Sequence, residues 1–333
     1  MRIVSTGLIL VTATALAAAP ESYHLLKTVP IPGEGGWDYV SVDSAARRVY
    51  VSHATRVEVL DADSGAVVGQ IADTAGVHGI AVATDVGRGF VSDGRADNVT
   101  VFDLKSLKTL GTLPTGKNPD SIIYDPATRR VFAFNGRGAS ATVIDAAESK
   151  VAGTIPLGGQ PEFAAADGAG HVFVNLEDKN EVLRLDSKEM KVLDRWTLQG
   201  ATAPCSMAID PANHRLFVGC RSKALMVLNS ETGNPIATLP IGERVDAGAF
   251  DPETKLIFCS CGDGTVSVIR QETPDTYAEA EKIKTRTGSK TMALDPKTHK
   301  LFIPGAEYKA PAGGGRGRPA MVPGSFVMLI YGR

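Results

Sequence analysis

Hydrophobic and polar residues alternate in short runs along most of the chain. The runs at residues 57–60 (VEVL), 99–102 (VTVF) and 266–269 (VSVI) are three examples. Because successive side chains of a strand point to opposite faces, this two-residue period is typical of half-buried β-strands. Polar runs with Asp, Ser and Gly, such as residues 61–65, follow these segments and favour tight turns. The pattern therefore predicts a protein built from many short antiparallel strands.

The strand pattern repeats, and an aromatic residue marks each repeat. These residues are Tyr50, Phe90, Phe132, Phe173, Phe217, Phe258 and Phe302, at spacings of 40 to 44 residues. Five of the seven units have an aspartate seven positions earlier: Asp43, Asp125, Asp210, Asp251 and Asp295. In four of those five, proline follows the aspartate. Since aspartate bonds the backbone of a turn and proline fixes φ there, we predict a hairpin turn at this point of each unit.

Four short strands in about 42 residues are the signature of a β-propeller blade. Seven units therefore predict an all-β fold, a seven-bladed β-propeller with four-stranded antiparallel blades. The seventh unit offers only three strands, at residues 290–295, 300–304 and 325–331. We expect residues 23–29 to supply its outer strand, because pairing the chain ends closes the ring and covers an edge. An open solenoid would leave that strand unexplained.

The repeat also resembles a known family. The sequence YVSH at residues 50–53, followed by VEVLD at residues 57–61, is similar to the Tyr-Val-Thr-Asn…Val-x-Val-Ile-Asp repeat of the YVTN-type, YncE-like propellers. The resemblance covers about residues 21 to 333 and implies an exported seven-bladed propeller. In that family activity is mostly undetermined, although some relatives resemble lactonases and one branch is associated with single-stranded DNA. Because the repeat is structural, it implies the fold rather than the chemistry.

The first 19 residues have the features of a Sec-type signal peptide. Arg2 is followed by an uncharged apolar stretch, residues 3–19, that ends in small residues (ALAAA). The stretch is shorter than the ~20 residues that span a bilayer, and no cysteine follows it for a lipid anchor. We therefore expect a periplasmic or secreted protein with no membrane span after cleavage. Residues 20–333 would then form one propeller domain.

Charge and composition exclude several other classes of protein. The chain has 35 Lys and Arg against 37 Asp and Glu, so no basic field indicates a nucleic-acid-binding protein. With only 2 Trp and 7 Tyr available for base stacking, nucleic acid is not an expected partner. A hydrophobic content of 43% excludes general disorder, and a mean hydropathy near zero excludes a multi-span membrane protein. We expect a monomer.

Ionisable side chains recur at one position of the repeat, twelve residues before each aromatic marker. This position holds Asp38, His78, Asp120, Pro161 (with Glu162 beside it), Cys205, Asp246 and Lys290. It precedes the innermost strand, so we expect these side chains at the mouth of the central channel. A structural repeat needs no ionisable residue there, and the set favours a pocket for a small polar ligand or a divalent cation. In the alternative, Lys290 neutralises Asp38 and Asp246 and the others face channel water.

The loops between the second and third strands should open at the same mouth. They contribute His53, Arg56, Asp93, Arg95, Arg137, Glu177, Arg221, Asp263 and Glu307. Exposed loop charges are usually only solvated, but loops on a rigid scaffold often carry function. We include His53, Arg56, Arg137, Glu177 and Arg221 among the candidate ligand-binding residues. The arginines offer planar donors for a carboxylate or phosphate.

Four cysteines lie in the fifth and sixth units, and export would permit a disulfide. Cys205 begins the first strand of its blade and Cys220 ends the second, so we predict the pair Cys205–Cys220. Cys220–Cys261 on adjacent blades is the rival pair, and buried free thiols are the third possibility.

Residues 304–324 form an insertion with the run GGGRGRP, predicted to be a flap loop that lies over the mouth, either as a linker or as a lid.

The sequence thus predicts an exported binding or protein-interaction module that uses the polar rim of the channel. The alternative is a hydrolase of the lactonase or esterase type that uses the rim carboxylates and His78, assisted by a divalent metal. No serine-nucleophile, paired-metal or haem-attachment motif identifies catalytic residues, a metal site or a cofactor. That absence favours binding.

Overall fold

The structure is a computed structural model that describes residues 22–309 and 320–333. The predicted signal peptide at residues 1–19 lies outside the described residues, as does the centre of the predicted flap. The described residues form seven four-stranded antiparallel sheets, which are the blades of a propeller around a central channel. The predicted fold class is therefore confirmed.

The innermost strand comes first in each blade. Blade one consists of β2 (Val40–Asp43), β3 (Arg48–His53), β4 (Arg56–Asp61) and β5 (Val67–Ile71). Blade two consists of β6 (Val77–Ala83), β7 (Arg88–Asp93), β8 (Asn98–Asp103) and β9 (Thr109–Pro114). Blade three consists of β10 (Pro119–Asp125), β11 (Arg130–Asn135), β12 (Ser140–Asp145) and β13 (Lys150–Pro156). Blade four consists of β14 (Pro161–Ala166), β15 (His171–Leu176), β16 (Glu181–Asp186) and β17 (Lys191–Thr197). Blade five consists of β18 (Pro204–Asp210), β19 (Arg215–Cys220), β20 (Ala224–Asn229) and β21 (Pro235–Pro240). Blade six consists of β22 (Val245–Asp251), β23 (Leu256–Cys261), β24 (Thr265–Thr273) and β25 (Thr276–Lys284). The seventh blade consists of β26 (Ala293–Asp295), β27 (Lys300–Gly305), β30 (Val327–Gly332) and β1 (His24–Pro30).

The seventh blade is closed by a strand from the other end of the chain. Strand β1 pairs antiparallel with β30, from His24 opposite Gly332 to Pro30 opposite Val327. The predicted outer strand at residues 23–29 is therefore confirmed, displaced by one residue. This pairing removes the exposed edge that an open ring would leave.

The core lies between neighbouring blades. All seven aromatic markers are 1% exposed or less. Between the first and last blades, Val49 and Val51 pack in one cluster with Phe302 and Met328. Because each blade buries both faces against its neighbours, the same apolar residues are needed once per repeat. That requirement explains the period of the sequence.

Arginines tie neighbouring blades on one side of the ring. We call this side the turn face; it carries the turns between strands one and two and between strands three and four of each blade. Arg130 donates to the carbonyl oxygens of Ser187 and Lys188 in the next blade, both at 2.6 Å. Arg88 and Arg48 make the same kind of contact one and two blades earlier. The recurring basic residue at the start of the second strand therefore stabilises the ring.

The predicted turn aspartates also act on the turn face. Asp295 accepts hydrogen bonds from Ser44 Oγ and Arg47 Nη1 of the first blade, each at 2.6 Å. Asp251 accepts one from His299 Nδ1 of the seventh blade at 2.7 Å. These side chains shape a hairpin turn and link two blades at once.

The opposite side, which we call the rim face, carries the loops between strands two and three and the segments that enter the innermost strands. The base of the predicted flap lies here as a short ladder, β28 (Tyr308–Lys309) with β29 (Ala320–Met321). Tyr308 shares a cavity of about 1230 Å³ with Lys290. The position of the flap over the mouth stays a prediction.

Helical structure in the described residues is confined to two 3₁₀ turns, Thr84–Val86 and Pro211–Asn213. No helix with the length and hydropathy of a membrane span occurs in that part of the chain.

The predicted Cys205–Cys220 disulfide is not formed, because all four cysteines are buried free thiols. The strand register shifts at Cys205, and Cys220 lies opposite Pro204 instead. As a result the two thiols face opposite sides of the blade: Cys205 packs against the sixth blade and Cys220 against the fourth. Cys261, the partner of Cys220 in the rival pair, packs in the same cluster as Cys205, on the side of the blade away from Cys220. Burial raises the pKa of the Cys205 and Cys220 thiols, so neither is a ready nucleophile.

Candidate functional site

Bulges in the innermost strands place the predicted rim residues at the mouth of the channel. In blades two and three, the strand register shifts between Val77 and Ile80 and between Pro119 and Ile122. A bulge leaves residues unpaired and redirects their side chains. His78 and Asp120 lie within these two bulges. Similar shifts occur at Glu162, Cys205 and Asp246 in the next three blades.

Asp38, His78 and Asp120 form one cluster across the first three blades. His78 Nδ1 donates to Asp38 Oδ2 at 2.7 Å and lies 3.7 Å from Asp120 Oδ1. One potential metal-ligand atom from each residue lies within 4.8 Å of the other two. Carboxylate oxygens and an imidazole nitrogen suit a divalent cation of hard or borderline character. This is the part of the mouth that fits the predicted metal site, although His78 Nδ1 is already bound to Asp38.

Arg221 joins three carboxylates on the other side of the mouth. Its guanidinium lies 3.2 Å from Glu162 Oε1, 2.8 Å from Glu177 Oε1 and 3.4 Å from Asp246 Oδ1. Lys290 forms an ion pair with Asp246. The two sets of predicted residues, from the strand starts and from the loops, therefore meet here. The alternative interpretation of the sequence is that Lys290 neutralises Asp38 and Asp246. The structure shows the ion pair with Asp246.

Two aromatic rings lie across the channel beneath these charges. The rings of Tyr39, from the first blade, and Phe163, from the fourth, are 5.5 Å apart. Tyr39 Oη donates to the carbonyl oxygen of Glu162 at 3.1 Å. Phe163 also lines a cavity of about 480 Å³ farther along the channel, mainly between apolar side chains of the innermost strands. We call the rings and the charged residues around them (Asp38, His78, Asp120, Glu162 and Asp246) the rim cup.

Carboxyl groups outnumber cationic groups in and around the rim cup. Five carboxylates, Asp38, Asp120, Glu162, Glu177 and Asp246, lie in contact with two permanent cations, Arg221 and Lys290, and with His78.

Burial, reinforced by neighbouring carboxylates, raises the pKa of Asp120 to about 6 and that of Glu162 to about 8. Burial alone would lower the pKa of His78, but the hydrogen bond to Asp38 and the charge of Asp120 raise it overall. The carboxylates are therefore not fully compensated by the protein.

Two predicted site residues, His53 and Arg56, do not join this cluster. His53 is fully buried and its ring lies 4.5 Å from that of Phe326. Arg56 Nη2 lies 3.1 Å from His53 Nδ1, and Arg56 Nε donates to Glu58 at 2.5 Å. These residues instead form a packing cluster on the first blade.

Arg137 lies beside the rim cup rather than in it. Together with Arg95, Asn118 and His78 it lines a separate cavity of about 430 Å³. His78 is the residue that the cavity shares with the rim cup. The predicted loop set therefore divides into residues in the mouth (Glu177, Arg221), next to it (Arg137) and away from it (His53, Arg56).

Tyr39 and Phe163 are the site residues that sequence reasoning did not identify. Each follows a rim residue directly, Tyr39 after Asp38 and Phe163 after Glu162. An aromatic residue next to a rim position was the available signal. The two aromatic residues come into contact only because the first and fourth blades face each other across the channel. The period of the repeat does not show which blades face each other.

Comparisons with known proteins support the fold. No family model matches the chain, and no curated protein does. Among solved structures, the chain is similar to a chain of the hydrazine synthase of Kuenenia stuttgartiensis, with 15% identity, a TM-score of 0.72, and coverage of 82% of this chain and 94% of that one. It is also similar to a chain of a mitotic checkpoint complex, with 17% identity, a TM-score of 0.77, and coverage of 99% and 98%. A third likeness is to U3-55K, with 12% identity, a TM-score of 0.75, and coverage of 92% and 98%. At these identities the likeness shows the propeller fold alone.

Proposed function

We propose that the protein is a β-propeller binding module whose rim cup binds a small cationic ligand. The observation that carries this proposal is the excess of carboxylates at the mouth: five face two permanent cations and one histidine. A bound cation would favour the ionised form of these carboxyl groups, which the cations of the protein do not fully compensate. The perturbed pKa values of Asp120 and Glu162 support this proposal, since such values cluster at functional sites.

The aromatic rings favour an organic ammonium group among the possible cations. Tyr39 lies in the field of Asp120, Glu162 and Asp38, which adds to the effect of burial in raising its pKa. An ammonium group over such a ring gains a cation–π interaction of about 0.5–2 kcal/mol. The ammonium could belong to a free amine or to a lysine side chain of a protein partner.

Isothermal titration calorimetry tests the proposal. We expect butylammonium to bind the wild-type protein, and Asp120→Asn to weaken that binding at least tenfold. A matched control is Glu243→Gln, because Glu243 is an exposed acid on the rim face that pairs with Lys223 outside the cup. If neither butylammonium nor Mn²⁺ binds at millimolar concentration, the proposal is wrong.

Mn²⁺ in the same titration separates a metal site from an ammonium site. Tight Mn²⁺ binding that is lost in His78→Ala, without competition by butylammonium, would assign the cluster of Asp38, His78 and Asp120 to a metal. A lysine-containing peptide that binds far more tightly than butylammonium would favour a protein partner.

A hydrolase of the lactonase or esterase type is the second candidate. It is favoured by one observation, the hydrogen bond between His78 and Asp38 next to a carboxyl group, Asp120, with a pKa near 6. In this proposal His78 acts as a general base on water. A panel of lactones and esters tests it, and activity that survived both His78→Ala and Asp120→Ala would rule out this assignment.

We further propose that the protein is an exported monomer of the YVTN-type family. The N-terminal sequence supports export, and the repeat residues at 50–61 support the family. N-terminal sequencing of the exported protein and its elution in size-exclusion chromatography test the first two statements.

A further inference from the structure

A second charged pocket lies next to the rim cup. It is the cavity of about 430 Å³ lined by Arg95, Arg137, Asn118 and His78, together with Gly76, Val77 and Gly94. We call it the arginine cavity. Arg95 and Arg137 come from the loops between the second and third strands of neighbouring blades. In the described part of the chain neither guanidinium lies within 4 Å of a carboxylate oxygen, although the charge of Arg137, after the contacts with Lys117 and Asn118, helps to lower the pKa of Asp97.

The walls of the arginine cavity are held by backbone hydrogen bonds. Arg95 N donates to the carbonyl oxygen of Ala75 at 3.2 Å, and Gly136 N donates to that of Asn118 at 2.8 Å. These bonds attach each arginine-bearing loop to the segment that enters the innermost strand of the same blade. The two arginines are therefore carried on a fixed frame rather than on free loops.

Gly94 leaves the space between the arginine cavity and the histidine ring. A Cβ at this position would lie 2.6 Å from both His78 Nε2 and Asn118 Nδ2. His78 thus presents one edge to the arginine cavity and the other, through Nδ1, to Asp38 in the rim cup. The imidazole is the wall that the two pockets share.

Charges of opposite sign lie on the two sides of this wall. On one side are the carboxylates of Asp38 and Asp120, at 2.7 Å and 3.7 Å from His78 Nδ1. On the other are the guanidinium groups of Arg95 and Arg137 and the amide of Asn118. Planar guanidinium groups favour a carboxylate, because they can donate two parallel hydrogen bonds to it.

We propose that the ligand is a small zwitterion whose ammonium group lies in the rim cup and whose carboxylate lies in the arginine cavity. This inference rests on the proposed cation-binding function and names the class of its ligand. The two charges of the ligand must be separated by about the width of the His78 ring, so an amino acid with a short chain between its charged groups fits best.

Calorimetry with a matched set of probes tests the proposal. The set is glycine, β-alanine and 4-aminobutyrate as zwitterions, with butylammonium and butyrate as the single charges. We expect at least one zwitterion to bind ten times more tightly than either single charge. Arg137→Gln should weaken that zwitterion at least tenfold and leave butylammonium within a factor of two.

The control is Arg244→Gln, which removes an exposed arginine on the rim face that lines a different cavity. It should change no affinity in the set by more than a factor of two. Gly94→Ala should reduce zwitterion binding, since the new methyl group displaces the His78 ring.

Two outcomes separate this inference from the function on which it rests. If butylammonium binds and no zwitterion binds more tightly, the inference of a zwitterionic ligand is wrong, while the proposed binding of a cation is still supported. If butyrate binds as tightly as the best zwitterion, the ammonium makes no contribution and the inference is also wrong. Failure of all cations to bind overturns the proposed function itself.

Discussion

Buried carboxyl groups on the turn face and on the rim face differ in the direction of their pKa shifts, as Asp295, Asp93 and Glu162 show. On the turn face, burial would raise the pKa of Asp295, but hydrogen bonds from Ser44, Thr298 and Arg47 lower it overall. On the rim face, burial raises the pKa of Asp93 to about 7 and that of Glu162 to about 8. The folded protein therefore favours the ionised form of Asp295 on the turn face and disfavours the ionised forms of Asp93 and Glu162 on the rim face.

The difference follows the repeat. The turn aspartate recurs in five of seven units. Partners from the neighbouring blade are Ser44 and Arg47 for Asp295, and His299 for Asp251. Rim residues differ from blade to blade, as Asp38, His78 and Cys205 show. The turn aspartates, which recur, stabilise the ring by linking neighbouring blades. The rim residues, which do not recur, lie at the end of the channel where loops on a rigid scaffold usually carry function.

Asp295→Ala should have the largest effect on stability. The carboxylate is fully buried and bonds Arg47 Nη1 at 2.6 Å, so its removal takes from this largely buried guanidinium one of its two carboxylate partners, the other being Asp63 at 2.7 Å. It also leaves the hydroxyls of Ser44 and Thr298 without their acceptor. We expect the free energy of unfolding to fall by about 4 kcal/mol in urea denaturation at pH 7. A loss below about 1 kcal/mol would contradict a stabilising role for the turn face.

Asp93→Asn should have the opposite effect and raise the free energy of unfolding. Asp93 is 1% exposed, Thr100 Oγ1 donates to its Oδ2 at 2.6 Å, and no group bonds its Oδ1 among the described residues. An asparagine keeps an acceptor for Thr100 and carries no charge. We expect the free energy of unfolding at pH 8 to rise by about 3 kcal/mol.

The pH dependence of that gain is the sharper measurement. Because the pKa of Asp93 is raised from 3.8 to about 7, the folded protein binds this proton more strongly than the unfolded chain. The stability that this proton provides is complete below pH 4 and is lost as the pH rises to about 7. The variant should therefore differ little from wild type at pH 4 and most at pH 8. An equal difference at both values would show that charge is not the cause.

Glu243→Gln should have the smallest effect. Glu243 and Lys223 form an ion pair at 2.6 Å, but both side chains are more than half exposed. We expect a change of about 0.3 kcal/mol in the free energy of unfolding, smaller still in 1 M NaCl. A loss above about 1 kcal/mol would mean that burial does not distinguish the two faces.

The ring itself could be predicted because one signal recurs seven times. Each blade needs an aromatic residue such as Phe132 or Phe258 between its neighbours, and the closing strand follows from an unpaired edge. Counting from the aromatic marker also placed Asp38, His78 and Asp120 together, since equivalent positions share one end of the channel.

Features that depend on departures from the repeat could not be predicted. The bulge at Cys205 turns its thiol away from Cys220, which defeats the pairing inferred from a regular hairpin. His53 is covered by Phe326, a residue from the opposite end of the chain. Contact between Tyr39 and Phe163 depends on the diameter of the channel, which no local pattern contains.

The pairing of β1 with β30 sets the order of events during synthesis. Strand β1 emerges from the ribosome first, and its partner follows about 300 residues later, from Val327 onward. At the usual 5–20 residues per second, the first strand waits roughly 15–60 s before its partner exists. Throughout that interval it presents an unpaired edge and the apolar side chains of Leu25 and Leu26, which are 48% and 42% exposed even in the finished ring. The segment that seals the propeller is thus the strand that waits longest for its partner during synthesis.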